Sequence, residues 1–104
     1  MDITTTQQFD QIINDSDKKA VLIDFWAPWC GPCRMLTPTI DKLKEQYPNN
    51  ILKVNVDHMK ALAARYGVRG IPNVTIIKNG EVQESLQGVQ PGYLYEQKLK
   101  YYIN

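Results

Sequence analysis

The sequence predicts an α/β protein in which helices cover both faces of a mixed central β-sheet. Short runs of strand-forming residues alternate with longer segments of helical periodicity. Residues 21–26 (VLIDFW) are almost continuously apolar, which is typical of a central strand covered on both faces. Asn79-Gly80 lies between two further strand-like runs and is a strong hairpin signal. Part of the sheet is therefore expected to be antiparallel.

The first element is a short amphipathic helix that precedes the apolar strand. Either Thr5 or Thr6 can cap it, and residues 14–17 are expected to end it. Its buried side chains recur at helical spacing and are Phe9, Ile12 and Ile13. The strand at residues 21–26 follows.

A longer second helix is predicted to begin at residues 30–32, because proline is favoured in a first helical turn. Residues 48–50 close it. Its buried stripe consists of Leu36, Ile40, Leu43 and Tyr47. Since this stripe continues past Pro38, we expect Pro38 to kink the helix rather than end it.

The second half of the chain is predicted to contain a strand, a short helix, a hairpin and a last helix. The strand spans residues 51–56 and the short helix spans residues 59–66. The two hairpin strands span residues 73–77 and 81–86, and the last helix begins at Pro91. Gly67 ends the short helix. One face of the last helix carries Tyr95, Leu99, Tyr102 and Ile103. Right-handed crossovers are expected to connect the parallel strands.

Length and charge narrow the range of functions. A chain of 104 residues favours one domain over residues 1–104, since two cored domains would each be too small. The net charge of +1 gives no reason to expect a nucleic acid or an anionic membrane as partner. No apolar run approaches the roughly 18 residues of a membrane span. Residues 1–8 resemble no leader peptide, which favours a cytoplasmic location.

The two cysteines carry the main chemical signal. Cys30 and Cys33 are separated only by Gly31 and Pro32 and lie at the predicted start of the second helix. Unpaired N–H groups and the helix dipole stabilise an anion there, so Cys30 is expected to be a reactive thiolate open to solvent. Cys33 lies one turn deeper and within reach. The pair can thus form and reopen a disulfide, with Cys30 as nucleophile and Cys33 as the resolving thiol.

Other uses of the pair are less favoured. A structural disulfide that closes so short a loop would add only about 2 kcal/mol of stability. A structural zinc site needs four ligands, and His58 is the one further soft ligand. Covalent haem attachment requires a histidine after the second cysteine, where this chain has Arg34. Redox chemistry is the preferred interpretation, and a structural disulfide or a metal site are the alternatives.

Three segments resemble motifs of the thioredoxin family. Residues 25–34 (FWAPWCGPCR) resemble its active-site signature, and residues 67–72 (GVRGIP) and 78–81 (KNGE) resemble its later motifs in order and spacing. The resemblance covers essentially the whole chain. It implies a thioredoxin-like fold and a general protein-disulfide reductase that cycles between a dithiol and a Cys30–Cys33 disulfide.

The same resemblance implies the partners. Substrates would be proteins that contain disulfides, and the electrons would come from a thioredoxin reductase. Flavin and NADPH would belong to that enzyme, so this chain needs neither a bound cofactor nor a metal. It is expected to act as a monomer.

Asp24 is a carboxylate within the apolar strand. Burial of an unpaired charge is costly and raises the pKa of a carboxyl group, although a side chain turned to solvent is the alternative. The resemblance implies that Asp24 lies buried behind Cys33 and assists its deprotonation, with Lys53 tuning Asp24.

The resemblance also assigns a docking surface. Sequence alone favours a trans bond before Pro72, because only about 5–6% of X–Pro bonds in folded proteins are cis. The family instead implies a cis bond beside the cysteines, which leaves the backbone of Ile71 free to pair with an extended substrate segment. The residues that match the family's docking surface are Trp29, Gly70, Ile71, Gly88 and Val89. Glycine at two of these positions would permit close backbone approach.

Two rival functions use the same fold. Disulfide oxidases and isomerases of the superfamily usually have histidine before the second cysteine, whereas this chain has Pro32. A redox-inert binding subunit could use the same docking surface. The presence of both cysteines and Asp24 argues against a redox-inert function. Asn73, where threonine is common in the family, could alter substrate preference.

Overall fold

A computed structural model describes residues 1–15 and 20–103. Within them, four strands form one sheet in the order β2-β1-β3-β4. β1 runs parallel to β2 and antiparallel to β3, and β3 pairs with β4 in a hairpin. The elements are α1 (Thr6–Asp15), β1 (Ala20–Trp26), α2 (Gly31–Gln46), β2 (Ile51–Asn55), α3 (Lys60–Arg65), β3 (Asn73–Lys78), β4 (Glu81–Gln87) and α4 (Gly92–Ile103). The predicted mixed sheet is confirmed.

The central strand β1 is buried on both faces. Alternate residues point in opposite directions, so Ile23 and Phe25 join one core cluster while Leu22 joins the other. The first cluster includes Phe9 of α1 and Leu62 of α3. The second cluster contains buried residues of α2 and α4, namely Leu36, Ile40, Leu43, Tyr95 and Leu99. Helices therefore cover both faces, as predicted.

The N-terminal segment extends the sheet beyond β2. Asp2 forms a parallel bridge with Lys53. The Ile3 N–H donates to the Lys53 carbonyl at 2.9 Å, and the Lys53 N–H donates to the Met1 carbonyl at 2.8 Å. This pairing satisfies the outer edge of β2, a role that the sequence pattern does not indicate.

The helix boundaries follow the predicted signals closely. Thr5 caps α1 by accepting a hydrogen bond from the Gln8 N–H at 3.0 Å. The prediction that residues 14–17 end this helix falls partly on residues 16–19, outside the described part of the chain. Helix α2 contains Pro38 and continues to Gln46. None of the helices in the described ranges is both long and apolar enough to cross a membrane.

Small boundary differences occur where side chains reorganise the backbone. β2 ends at Asn55, one residue before the predicted end, because the Asn55 side chain accepts a hydrogen bond from the Asp57 N–H at 2.9 Å and starts a turn. α3 is one residue shorter than predicted at each end. In the hairpin, Asn79 and Gly80 adopt φ angles of 56° and 76°, as a tight two-residue turn requires. A register shift between Ile76 and Ile77 interrupts the pairing of β3 with β4.

Candidate active site

The fold joins the two cysteines at the start of α2. Cys30 and Cys33 form a disulfide across a Cα–Cα distance of 5.2 Å. Cys30 is the N-cap residue of α2, and Pro32 occupies the first turn, where its missing N–H is of no consequence. A Cβ at Gly31 would meet no atom within 4 Å, so close packing does not explain glycine at that position. The predicted pairing and its place in the helix are both present.

Backbone groups favour negative charge on the Cys30 sulfur. The Cys33 N–H donates a hydrogen bond to Cys30 Sγ at 3.2 Å. This N–H is one of the helix N–H groups that lack a partner within the helix, and the first turn of α2 contains no acidic residue. An N–H donor and the positive end of the helix dipole both lower the pKa of a thiol at this position once the disulfide is reduced.

Both cysteine residues are almost fully buried in the disulfide form. The exposed fraction is 5% for Cys30 and 3% for Cys33. Trp26, Val56 and Ile71 pack against the pair. The expectation that Cys30 is open to solvent is therefore wrong for the disulfide state, because these neighbours leave only a small part of the residue accessible.

The segment before β3 adopts the predicted backbone. The Ile71-Pro72 bond is cis. The Ile71 carbonyl oxygen lies 3.8 Å from Cys30 Sγ. The Pro72 carbonyl accepts a hydrogen bond from the Gly88 N–H at 2.9 Å, whereas neither backbone group of Ile71 pairs with another backbone group in residues 1–15 and 20–103. Within the described residues, Ile71 thus presents backbone groups without a backbone partner beside the disulfide.

Asp24 is buried on the face of β1 that α2 and α4 cover. Its exposed fraction is 3%, so the alternative of a solvent-facing side chain is wrong. Oδ1 has no hydrogen-bond partner in the described structure. Burial raises the pKa of Asp24 to about 6, while the positive charge of Lys53 opposes this shift and the negative charge of Asp41 adds to it. At neutral pH Asp24 is mostly ionised, but it binds a proton more tightly than an exposed aspartate does.

Lys53 lies close to both Asp24 and Trp26. It is the register partner of Asp24 across the parallel strands β1 and β2. Its ammonium group lies 4.8 Å from the centroid of the Trp26 ring, a cation–π distance. Lys53 therefore supplies the positive charge that favours the ionised form of Asp24.

Trp29 forms the wall of a groove next to the disulfide. The side chain is 66% exposed, and its indole N–H donates to Asp57 Oδ2 at 2.8 Å. The groove has a volume of about 330 Å³ and is lined by Trp29, Val56, Ala63, Val68, Arg69, Gly70 and Ile71. The sequence pattern does not single out Asp57, which follows β2 and meets Trp29 only through the fold.

The remaining docking residues occupy the same side of the molecule. Gly70 lies under the Gln87 side chain, whose Nε2 would be 2.5 Å from a Cβ at that position. The Gln87 side chain therefore leaves little room for a larger residue at position 70, and the close approach of a partner at Gly70 stays a prediction. Gly88 has a φ of +78°, so its left-handed backbone explains the glycine. Val89 follows it and is 45% exposed. Trp29, Gly70 and Ile71 share the groove, whereas Gly88 contacts the neighbouring Pro72 through its backbone N–H and Val89 follows it in the chain.

Asn73 is turned into the sheet rather than toward the groove. It is buried, its Nδ2 donates to Ser85 Oγ at 3.2 Å, and its Oδ1 accepts from Thr75 Oγ1 at 2.7 Å.

In the part of the chain that is described, no group of three or more His, Cys, Asp or Glu residues could hold a metal ion.

Removal of the Asp57 carboxylate is expected to weaken substrate docking. In Asp57→Ala the indole of Trp29 loses its hydrogen bond and gains rotational freedom. We expect KM for a protein disulfide to rise about threefold to fivefold with kcat changed by less than about twofold, measured by steady-state reduction kinetics.

Asp57→Asn is the matched variant, because its amide oxygen can still accept the indole N–H. Its KM is expected to stay near the wild-type value. A KM that is unchanged in Asp57→Ala, or raised equally in both variants, would contradict the role of this hydrogen bond.

Comparison with known proteins places these features in one family. The family model described as Thioredoxin matches residues 1–101. A thioredoxin of Porphyra purpurea is 42% identical over 102 aligned positions, and the match covers 96% of this chain and 94% of that protein. A chloroplastic M-type thioredoxin of Pisum sativum is 43% identical over 103 aligned positions, and the match covers 89% of this chain but only 60% of that relative.

Solved structures agree with the sequence comparison. A thioredoxin from Nicotiana alata superposes with a TM-score of 0.91 at 26% identity and covers 100% of this chain and 92% of its own. A mutant thioredoxin from Halobacterium salinarum gives a TM-score of 0.88 at 35% identity, covering 100% of this chain and 90% of its own. The thioredoxin-like fold predicted from the motifs is confirmed.

Proposed function

This chain belongs to the thioredoxin family, and on that premise we propose how its residues divide the work of reducing protein disulfides. Members of the family are thiol–disulfide oxidoreductases that act through their own disulfide and need no further cofactor. The observation that carries the assignment of roles is the hydrogen bond from the Cys33 N–H to Cys30 Sγ. It distinguishes the two sulfurs, because only Cys30 receives helix N–H stabilisation.

The reaction begins with the dithiol form. The Cys30 thiolate attacks one sulfur of the substrate disulfide, and the other substrate sulfur leaves with the electron pair of the broken bond. Cys33 then loses its proton and attacks Cys30 Sγ. The Cys30–Cys33 disulfide forms, and the first substrate sulfur leaves as a thiolate. Two electrons pass from the dithiol to the substrate, and the two leaving thiolates take up protons.

We propose that Asp24 accepts the proton that Cys33 loses. Burial raises the pKa of this carboxyl group to about 6, which is closer to that of a thiol than an exposed aspartate would be. Its Oδ1 has no hydrogen-bond partner in the described residues and is available to accept a proton, directly or through water. Lys53 keeps the carboxylate ionised before the transfer.

Substrate recognition is assigned to the surface around Ile71. The unpaired backbone groups of Ile71 can bond an extended segment and hold its cysteine near Cys30. The docking residues are Trp29, Gly70, Ile71, Gly88 and Val89. Gly31 and Pro32 support the site by keeping the two cysteines one helical turn apart, and Pro72 supports it by shaping the segment that carries Ile71.

The partners are proteins that contain disulfides and a reductase that regenerates the dithiol. We propose a thioredoxin reductase as the electron donor, with NADPH and flavin on that enzyme. Because several relatives carry chloroplastic names, a ferredoxin-dependent thioredoxin reductase is the second candidate. A single domain over residues 1–104, a monomeric state and a cytoplasmic location remain our predictions.

Insulin reduction tests the proposed function. With dithiothreitol as electron source, the chain is expected to accelerate precipitation of the reduced insulin B chain, and a Cys30→Ser, Cys33→Ser double variant is expected to show only the background rate. Parallel assays with NADPH-dependent and ferredoxin-dependent reductases identify the donor. Equal rates for the wild type and the double variant would refute the proposal.

A further inference from the structure

We propose that the groove beside the disulfide prefers substrate segments that carry a carboxylate near the reactive cysteine, and that Arg69 binds this carboxylate. The inference rests on the proposed function. It adds the chemical class of segment that the site selects.

The groove lies beside the disulfide and shares Ile71 with it. Trp29 and Ile71 line it, and the Ile71 carbonyl oxygen is 3.8 Å from Cys30 Sγ. Most of the other lining residues are apolar or glycine. Arg69 is the one charged residue among those that line it. An apolar substrate side chain therefore fits the groove, while Arg69 adds a single ionic contact at its border.

Among the described residues, the guanidinium of Arg69 has no ionic partner. Arg69 is exposed, and the ion pairs within residues 1–15 and 20–103 join other partners, namely Arg65 with Asp10, Lys98 with Glu84 and Lys100 with Glu96. A free guanidinium offers planar, paired N–H donors that match a carboxylate. Binding an acidic group here breaks no ion pair of Arg69 with any of these described residues.

The charge around the groove is positive. Asp57 contributes the carboxylate at the Trp29 wall, and its Oδ2 already accepts the indole N–H. Lys60 lies three residues before Ala63 on the same face of α3, so it adds positive charge on the groove side. An acidic segment is attracted to this region and a basic segment is repelled.

The spacing along the chain sets where the carboxylate must lie. An extended segment that bonds the backbone of Ile71 runs along residues 69–71, and Arg69 is two residues from Ile71. Since an extended chain advances about 3.3 Å per residue, an acidic residue roughly two to four positions from the substrate cysteine reaches Arg69.

The test uses three seven-residue peptides that differ at one such position, with Glu, Gln or Lys. The single cysteine of each is linked to thionitrobenzoate as a mixed disulfide. The Cys30 thiolate of the reduced protein attacks the peptide sulfur, coloured thionitrobenzoate leaves with the electron pair, and Cys33 then releases the peptide thiol as the protein disulfide closes. Stopped-flow absorbance gives the second-order rate constant.

We expect the Glu peptide to react about threefold to tenfold faster than the Lys peptide at low ionic strength, with the Gln peptide between them. The ratio should approach one as salt is raised toward about 0.5 M. Arg69→Glu should invert the preference, and Arg69→Gln should bring the ratio near one. Lys42→Gln is the matched control, because it removes the same charge from the separate groove between α2 and α4 and should keep the wild-type ratio.

Fast and equal rates for the Glu, Gln and Lys peptides with the wild-type protein would overturn the inference. A preference for the Glu peptide that persists in Arg69→Glu would also overturn it. If Arg69→Glu does not fold, Arg69→Gln and the salt series decide the question. Failure of the proposed function looks different. All three peptides would then react only as fast as they do with glutathione, measured in parallel.

Discussion

Cys33→Ser is expected to stop turnover and to leave the protein covalently bound to its substrate through Cys30. The first attack still proceeds, because the helix N–H groups that stabilise the Cys30 thiolate are backbone groups and remain in place. The second step fails because serine cannot displace a disulfide. With millimolar external thiol in place of the neighbouring Cys33, release is expected to slow by about a thousandfold or more.

The adduct is measured by intact-protein mass spectrometry and by gels run without reductant, using insulin as the substrate. Cys30→Ser is the matched control, since it also keeps one cysteine of the pair. It should form no stable adduct, because Cys33 does not receive the N–H donor that stabilises negative charge on Cys30. Capture through Cys33 in that variant would reverse the roles of the two cysteines.

Asp24→Asn is expected to stabilise the protein at neutral pH. The folded state raises the pKa of Asp24 from 3.8 to about 6, so between these values the folded protein holds a proton that the unfolded chain has lost. The contribution of this group to stability is therefore largest below about pH 4 and is lost as pH rises through about 6. A shift of this size corresponds to about 3 kcal/mol at pH 8, the upper limit for the gain in Asp24→Asn.

Denaturant unfolding of the wild type and Asp24→Asn at pH 4 and pH 8 measures this effect. The difference between the two proteins should grow with pH. Asp41→Asn is the matched control, because this exposed carboxylate on α2 only adds to the shift of Asp24. Its unfolding free energy should change by less than about 0.5 kcal/mol. A difference that is constant with pH would contradict the burial of an ionised Asp24.

Asp24→Asn is also expected to slow resolution of the mixed disulfide by about a hundredfold at pH 7, since the amide cannot accept the Cys33 proton. In the wild type the resolution rate should rise as pH passes about 6 and Asp24 ionises. This limb of the pH profile should be absent from Asp24→Asn. Quenched-flow mass spectrometry of the intermediate measures the rate, and an unchanged lifetime would remove Asp24 from the mechanism.

Local signals were sufficient for most of the fold. The apolar stripe of α2 and the Asn79-Gly80 turn depend on residues close in sequence, and both elements form as predicted. The burial of β1 on both faces also follows from its almost continuously apolar composition. The cysteine pair is local as well, because only Gly31 and Pro32 separate its members.

The features that escape local signals depend on distant contacts. The Trp29–Asp57 hydrogen bond joins residues 28 positions apart. The pairing of the N-terminal segment with Lys53 spans half the chain. The covering of Cys30 results from Ile71 packing over it, and no pattern near the cysteines predicts that contact. Even the cis bond before Pro72 required the family resemblance, because local chemistry favours trans.

The break in register between Ile76 and Ile77 affects how the outer strand β4 meets other molecules. A regular, flat strand at the margin of a sheet is a template on which a second chain can add and start aggregation. An irregular pairing twists β4 locally and spoils the even spacing of its free N–H and carbonyl groups. The shift therefore makes β4 a poorer template for a second copy of the chain than a regular edge strand would be.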